Sequence, residues 1–138
     1  GLFENRVYPG IPELLGALQA GGMRLCVATS KPEAYTVRIL ERFGLDRYFN
    51  AVAGSSLDRS RERKADVIRY LLAGHGIRPE EAVMVGDRAY DVIGAKENGI
   101  PTLGMLFGYG SEQELLDAGA WKVAHDCEEA GRILLAVR

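Results

Sequence analysis

Two carboxylates, Asp87 and Asp91, stand four residues apart in the stretch MVGDRAYDVIGAKENGI, where an apolar run over residues 82–85 breaks into a Gly-Asp turn. A carboxylate at a strand end is costly to bury unless something pairs with it. Two so close suit a shared hard cation, most simply Mg²⁺, which takes oxygen ligands. Upstream, VATSKP puts Thr29 and Ser30 at the end of another apolar run with Lys31 beside them, and Lys64 opens an amphipathic segment after AGSS. Hydroxyls, an ammonium and a helix N-terminus suit a phosphoryl group. The chemistry this set would do is phosphoryl handling beside a divalent cation.

Each residue also has a plainer role. Thr29 and Ser30 could cap the helix that Pro32 opens. Lys64 could be a solvated helix lysine. Asp87 and Asp91 could be an N-cap and a first-turn charge favoured by the helix dipole. The two readings part on whether the fold brings all of these residues to one edge.

The elements that must do so alternate along the chain. Residues 11–19 carry Leu14, Leu15 and Leu18 on one helical face, with Pro12 in the first turn and Gly21-Gly22 closing the helix. MRLCVATS reads as a buried strand. KPEAYTVRILERFGL predicts a helix with Pro32 near its start, Gly44 at its end, and Ala34, Val37, Leu40 and Phe43 as its apolar stripe. NAVAGSS is a short strand. Residues 64–73 are amphipathic through Val67, Ile68, Leu71 and Leu72. AVMVGD is a strand, AYDVIGAKENG a helix stopped by Gly99, and IPTLGML a strand. SEQE, residues 111–114, predicts a capping box that opens another helix. WKVAH is a last strand and residues 128–137 a last helix. Strands alternating with helical crossovers make a doubly wound parallel α/β sheet. Such sheets bind ligands at the carboxyl ends of their strands, which is where Thr29, Ser30, Asp87 and Lys64 fall.

Composition narrows the partners. The 138 residues suit one domain with a real core, and 47% hydrophobic with 26% charged is ordinary for a globular protein. A net charge of −2 argues against a nucleic-acid or anionic-membrane partner. The apolar runs are too short to span a bilayer. Cys26 and Cys127 form no CxxC pair and read as reduced thiols. With no signal-peptide pattern, the expected location is cytoplasmic. The run RSRER, residues 59–63, reads as a solvated loop rather than a guide for an anionic substrate. Tyr8, Tyr109 and Trp121 read as packing residues. His75 and His125 lie in no ligand-like spacing.

In order and spacing the motifs resemble the phosphatases of the haloacid dehalogenase-like superfamily. Thr29 in VATSKP matches the second family motif, Lys64 in RERKADVI the third, and Asp87 with Asp91 in VGDRAYDVIGAKENGIP the fourth. GLFENRVYPGIPELL, TSKP, GSSLDRSRERK and GYGSEQELLDAGA are similar to the 5′-nucleotidase-like branch, beside the phosphoglycolate phosphatases. The resemblance implies a Rossmann-like hydrolase core over residues 9–138, incomplete at its N-terminus, with residues 1–8 the tail of a cap. It implies Mg²⁺-dependent hydrolysis of a small phosphorylated metabolite, 5′-nucleotidase-like or, alternatively, phosphoglycolate. Thr29 would hold a phosphoryl oxygen and Ser30 would add a donor. Lys64 would neutralise phosphoryl charge and orient the nucleophile. Asp87 would ligate Mg²⁺, and Asp91 would support the metal directly or through water.

The sequence departs from the family at one motif, since it contains no Asp-x-Asp pair. In the family that pair supplies the nucleophile and the acid/base at the end of the central strand. The expectation is that it belongs upstream of Gly1 with most of the cap, and that the chain as given does not turn over substrate by the family mechanism. The strands ending in VATS and VGD would then stand about 10 Å apart instead of the usual ~4.8 Å, with no hydrogen-bonded ladder between them. Two other classes compete. A phosphoacceptor signalling domain would present its acids first, whereas the order here is hydroxyl, lysine, acids. A non-catalytic interaction module or pseudoenzyme is kept open by the missing pair.

Overall fold

The computed structural model describes residues 8–107 and 110–137. The helices are α1 Ile11–Ala20, α2 Glu33–Arg42, α3 Lys64–His75, α4 Ala89–Glu97, α5 Glu112–Ala118 and α6 Cys127–Ala136. The strands are β1 Cys26–Pro32, β2 Ala51–Ser55, β3 Met84–Gly86, β4 Thr102–Met105 and β5 Lys122–Ala124.

Successive strand residues point to opposite faces, and here they divide between two cores. Val27, Val83, Val85, Leu103 and Met105 pack with Leu14, Leu15 and Leu18 of α1, Leu40 of α2 and Leu134 of α6. On the other face, Ala28 and Met84 pack with Ile68 and Leu72 of α3 and Ala95 of α4. Cys26 and Ala53 join Val67 and Leu71 of α3 there. This is the doubly wound arrangement, and the strand pairs are parallel.

The pairing is interrupted between β1 and β3. The strands form a two-stranded sheet, β1-β2, and a three-stranded sheet, β3-β4-β5. Because β1 and β3 share both cores, the two sheets lie in one layer. They face one another across a cleft of about 1430 Å³ lined by β1 on one side and Val83, Met84 and Val85 on the other. The expected lack of a ladder between these strands is what the structure has.

Local expectations change at α2 and β3. Lys31 and Pro32 continue β1, and the helix begins at Glu33 after Pro32 at φ −56, ψ 136. A residue that precedes proline is pushed out of the helical region, so Lys31 stays extended. The buried face of α2 is Thr36 and Leu40, while Val37 is 36% exposed and Ala34 is exposed. Thr36 tolerates burial because its hydroxyl donates to the Pro32 carbonyl at 3.1 Å. The third strand is Met84–Gly86, preceded by a 3₁₀ turn at Pro79–Glu81. Residues 1–7, most of the segment read as a cap tail, and Tyr109 lie outside the described residues. Tyr8 packs its ring 4.7 Å from that of Phe107, centroid to centroid. Trp121 packs only in part, at 40% exposed.

Candidate active site

The register of β1 against β2 builds the first half of the site. Ala28 faces Ala53 and Pro32 faces Ser55. Thr29, Ser30 and Lys31 therefore stand opposite the single residue Gly54. Bulges of this kind re-aim side chains and recur beside active sites. This one crosses Gly54 closely: a Cβ there would lie 2.5 Å from the Lys31 carbonyl oxygen and 2.7 Å from the Glu33 nitrogen. Thr29 Oγ1 accepts the Lys31 N–H at 3.1 Å. That fills a lone pair and leaves the hydroxyl proton to be donated outward. Neither Thr29 nor Ser30 caps α2, whose N-cap is Pro32 with no side-chain hydrogen bond.

The second half is the Gly-Asp turn after β3. Asp87 and Asp91 are 5% and 4% exposed. Asp91 Oδ2 accepts the N–H groups of Asp87 at 3.1 Å and Arg88 at 3.2 Å, and its Oδ1 lies 2.9 Å from Lys64 Nζ. The second carboxylate thus closes the turn and pairs the lysine. Gly86 is required beneath it, because a Cβ there would fall 2.4 Å from Asp91 Cβ. Lys64 is not a solvated lysine, its side chain being 13% exposed. Its stem packs on Gly94 of α4, where a Cβ would lie 3.1 Å from Lys64 Cβ. Asn98 Nδ2 ties the two helices by donating to the Ala65 and Gly94 carbonyls, each at 3.0 Å.

Sequence reading missed the supports of this turn. Ser111 caps α5 by accepting the Glu114 N–H at 3.0 Å, but Glu114 does not complete a capping box. Its Oε2 reaches α4 instead, accepting from Arg88 Nε at 2.9 Å and from the Ala89 N–H at 2.7 Å. The Arg88 hydrogen bond, and then the Ala89 N–H, hold the Glu114 carboxyl below its ordinary range. The Gly110 N–H donates to the Asp87 carbonyl at 2.9 Å. These partners lie 23 to 26 residues apart, so no local pattern announces them. In the loop after β2, Ser56 Oγ and the N–H and Oγ of Ser60 hold Asp58 at a pKa of about 2.

The five predicted site residues, Thr29, Ser30, Lys64, Asp87 and Asp91, line the one cleft, together with Lys31. They sit at the carboxyl ends of β1 and β3, the start of α3 and, for Asp91, the first turn of α4. Among the described residues no group of three or more His, Cys, Asp or Glu side chains is placed to hold a metal. Asp91 holds three donors, and the buried carboxylates of this turn, Asp87 and Asp91, offer the hard oxygen chemistry that fits a divalent cation. Residues 4–105 match the model of the haloacid dehalogenase-like hydrolases.

The chain belongs to this family. It is 49% identical over 115 residues to a 5′-nucleotidase of Pseudomonas aeruginosa, covering 83% of this chain and 52% of that protein. It is 47% identical over 110 residues to a tyrosine-protein kinase of Mycobacterium tuberculosis, covering 80% and 38%. Identity to a phosphoglycolate phosphatase of Rhodospirillum rubrum is 40% over 126 residues, covering 91% and 52%. The structure of a predicted phosphatase from Clostridium acetobutylicum superposes with a TM-score of 0.92 at 45% identity, covering 95% of this chain and 61% of that one. The chain spans about half the length of the curated phosphatases it matches. The residues read from the sequence as the second, third and fourth motifs, Thr29, Lys64, Asp87 and Asp91, line one cleft of this haloacid dehalogenase-like hydrolase, and the sequence contains no Asp-x-Asp pair.

Proposed function

We propose that this chain is the phosphoryl-holding part of a Mg²⁺-dependent phosphomonoesterase acting on a small phosphorylated metabolite. The observation that carries the reading is the convergence of Thr29, Lys64, Asp87 and Asp91 on one cleft mouth. Phosphoryl transfer is largely positioning and charge neutralisation, and each residue has a part in it. Thr29 donates its hydroxyl proton to a phosphoryl oxygen, and Ser30 adds an exposed donor beside it. Lys64, held by Asp91, neutralises phosphoryl charge with its remaining N–H groups. Asp87 holds Mg²⁺, which supplies charge neutralisation at the phosphoryl oxygens. Asp91 acts on the metal site at one remove, by fixing the turn and the lysine. The nucleotidase likeness favours a 5′-nucleotide, with phosphoglycolate the alternative. Two free thiols and the net charge of −2 support a cytoplasmic setting and a small-molecule partner rather than nucleic acid. Among the described residues no helix is long and apolar enough to cross a membrane.

The missing Asp-x-Asp pair supports a second reading, a non-catalytic binding module. An aryl phosphate assay with Mg²⁺ on the purified 138-residue chain tests the nucleophile assignment. Both readings expect background turnover from this chain alone. Robust hydrolysis abolished by Asp87→Ala would mean that a nucleophile lies within these residues.

A further inference from the structure

We propose that Arg61 is a positioning residue that locks the Thr29–Lys31 bulge to the helix carrying Lys64. Its Nε donates to the Gly54 carbonyl at 3.1 Å, and a second guanidinium nitrogen lies 3.5 Å from Glu33 Oε1. That Glu33 oxygen accepts the Gly54 N–H at 3.2 Å. Arg61 therefore grips both polar groups of the residue that the bulge crosses, one directly and one through Glu33. Its guanidinium carbon rests 3.8 Å from the ring centroid of Tyr70, which is on α3. One side chain thus joins Glu33 at the start of α2, directly after the bulge, to the end of β2 and the lysine helix.

Exposure sets Arg61 apart within its run. Its side chain is 18% exposed, against 77% for Arg59 and 67% for Arg63. The outer two behave as the solvated charges the sequence predicts, and Arg61 is turned inward. A planar fork that bonds one carbonyl and pairs with a carboxylate while stacking on an aromatic ring is a task lysine does not reproduce. The bulge needs such support because a site on a loop keeps its geometry only when surrounding contacts fix it. The inference rests on the reading of Thr29 and Lys64 as phosphoryl-holding residues.

The test uses the ¹⁵N-labelled 138-residue chain, its Arg61→Ala, Arg61→Lys and Glu33→Ala variants, and the double variant of Arg61→Ala with Glu33→Ala. Amide hydrogen exchange is measured first. Both Arg61 substitutions should speed exchange at Gly54 and Lys31 by about tenfold while the amides of β3 and β4 keep their rates. Glu33→Ala should add little in the Arg61→Ala background, because the two side chains act as one unit. Titration with inorganic phosphate and Mg²⁺ follows. It should move the Thr29 and Lys64 resonances of the unsubstituted chain, with affinity reduced about tenfold in Arg61→Ala and not rescued in Arg61→Lys. Unchanged exchange at Gly54, or equal acceleration across both sheets, overturns the proposal. So does a phosphate-induced shift of the Arg61 Nε resonance as large as that of Thr29, which would make Arg61 a direct ligand contact. Phosphate that moves neither Thr29 nor Lys64 in the unsubstituted chain defeats the phosphoryl reading, and exchange alone then decides the brace. If Arg61→Ala does not fold, Arg61→Lys and Glu33→Ala carry the same comparison.

Discussion

Asp91 contacts three donors, the N–H groups of Asp87 and Arg88 and the ammonium of Lys64. Removing one partner of a buried pair leaves the other charged and unpaired. Asp91→Ala should therefore destabilise the chain by about 3 kcal/mol, read as a lowered midpoint in urea with an unchanged slope. A loss within measurement error would mean that Lys64 finds water or another acceptor. At Gly86 the constraint is steric: a Cβ 2.4 Å from Asp91 Cβ forces the turn open. Gly86→Ala should cost roughly 1–3 kcal/mol by the same measurement. Two carboxylates, one of them already holding three donors, give Mg²⁺ little to replace its waters. Calorimetric titration should show weak binding, and a micromolar dissociation constant would require a further acidic ligand. At this scale the meeting of Thr29, Lys64, Asp87 and Asp91 on one cleft was legible, because each stands beside a strand end or a helix start that a local pattern marks. Gly54, Glu33 and Arg61 were not, because what matters is which strand residue faces which, and the bulge that decides it follows from pairing between β1 and β2.

Glu114 joins two helices, and its titration gives the pH dependence at the scale of elements. Its carboxyl is held below the ordinary value of 4.5 by Arg88 and then by the Ala89 N–H. A lowered folded pKa means the folded chain binds this proton less readily than the unfolded chain does. The stabilisation is fully present above about pH 4.5 and is lost as pH falls through the lower folded value. Glu114→Gln should therefore flatten part of the acid limb of a stability–pH curve measured by urea unfolding. Superimposable curves for the two proteins would contradict the joint. The helices themselves were legible from apolar spacing: Val67, Ile68, Leu71 and Leu72 of α3 are all buried as their pattern requires. The start of α2 was misplaced because proline at a helix start is common, and here its restriction on Lys31 acts first. The capping box failed because the Glu114 carboxylate finds a charged partner 26 residues away that outweighs the local N–H.

On the scale of the whole molecule, the alternation of strands and helices made the parallel, doubly wound layer legible. The same reading anticipated the division into two sheets, because the residues at the ends of β1 and β3 carry motifs that flank a third strand in the family. Strand edges facing a cleft seek partners, and both edges here are backed by apolar faces on either side. What the cleft would accept as substrate was not legible, since the relatives it resembles carry different names over the same core. Phosphate release from a phosphomonoester, measured after co-expression of this chain with a segment carrying an apolar strand that ends in Asp-x-Asp, tests whether the cleft is the phosphoryl site. The expected result is Mg²⁺-dependent turnover that the chain alone does not show, lost in Lys64→Ala and Asp87→Ala, together with new amide protection along both β1 and β3. Protection of both strands without turnover, or turnover unaffected by either substitution, would contradict it.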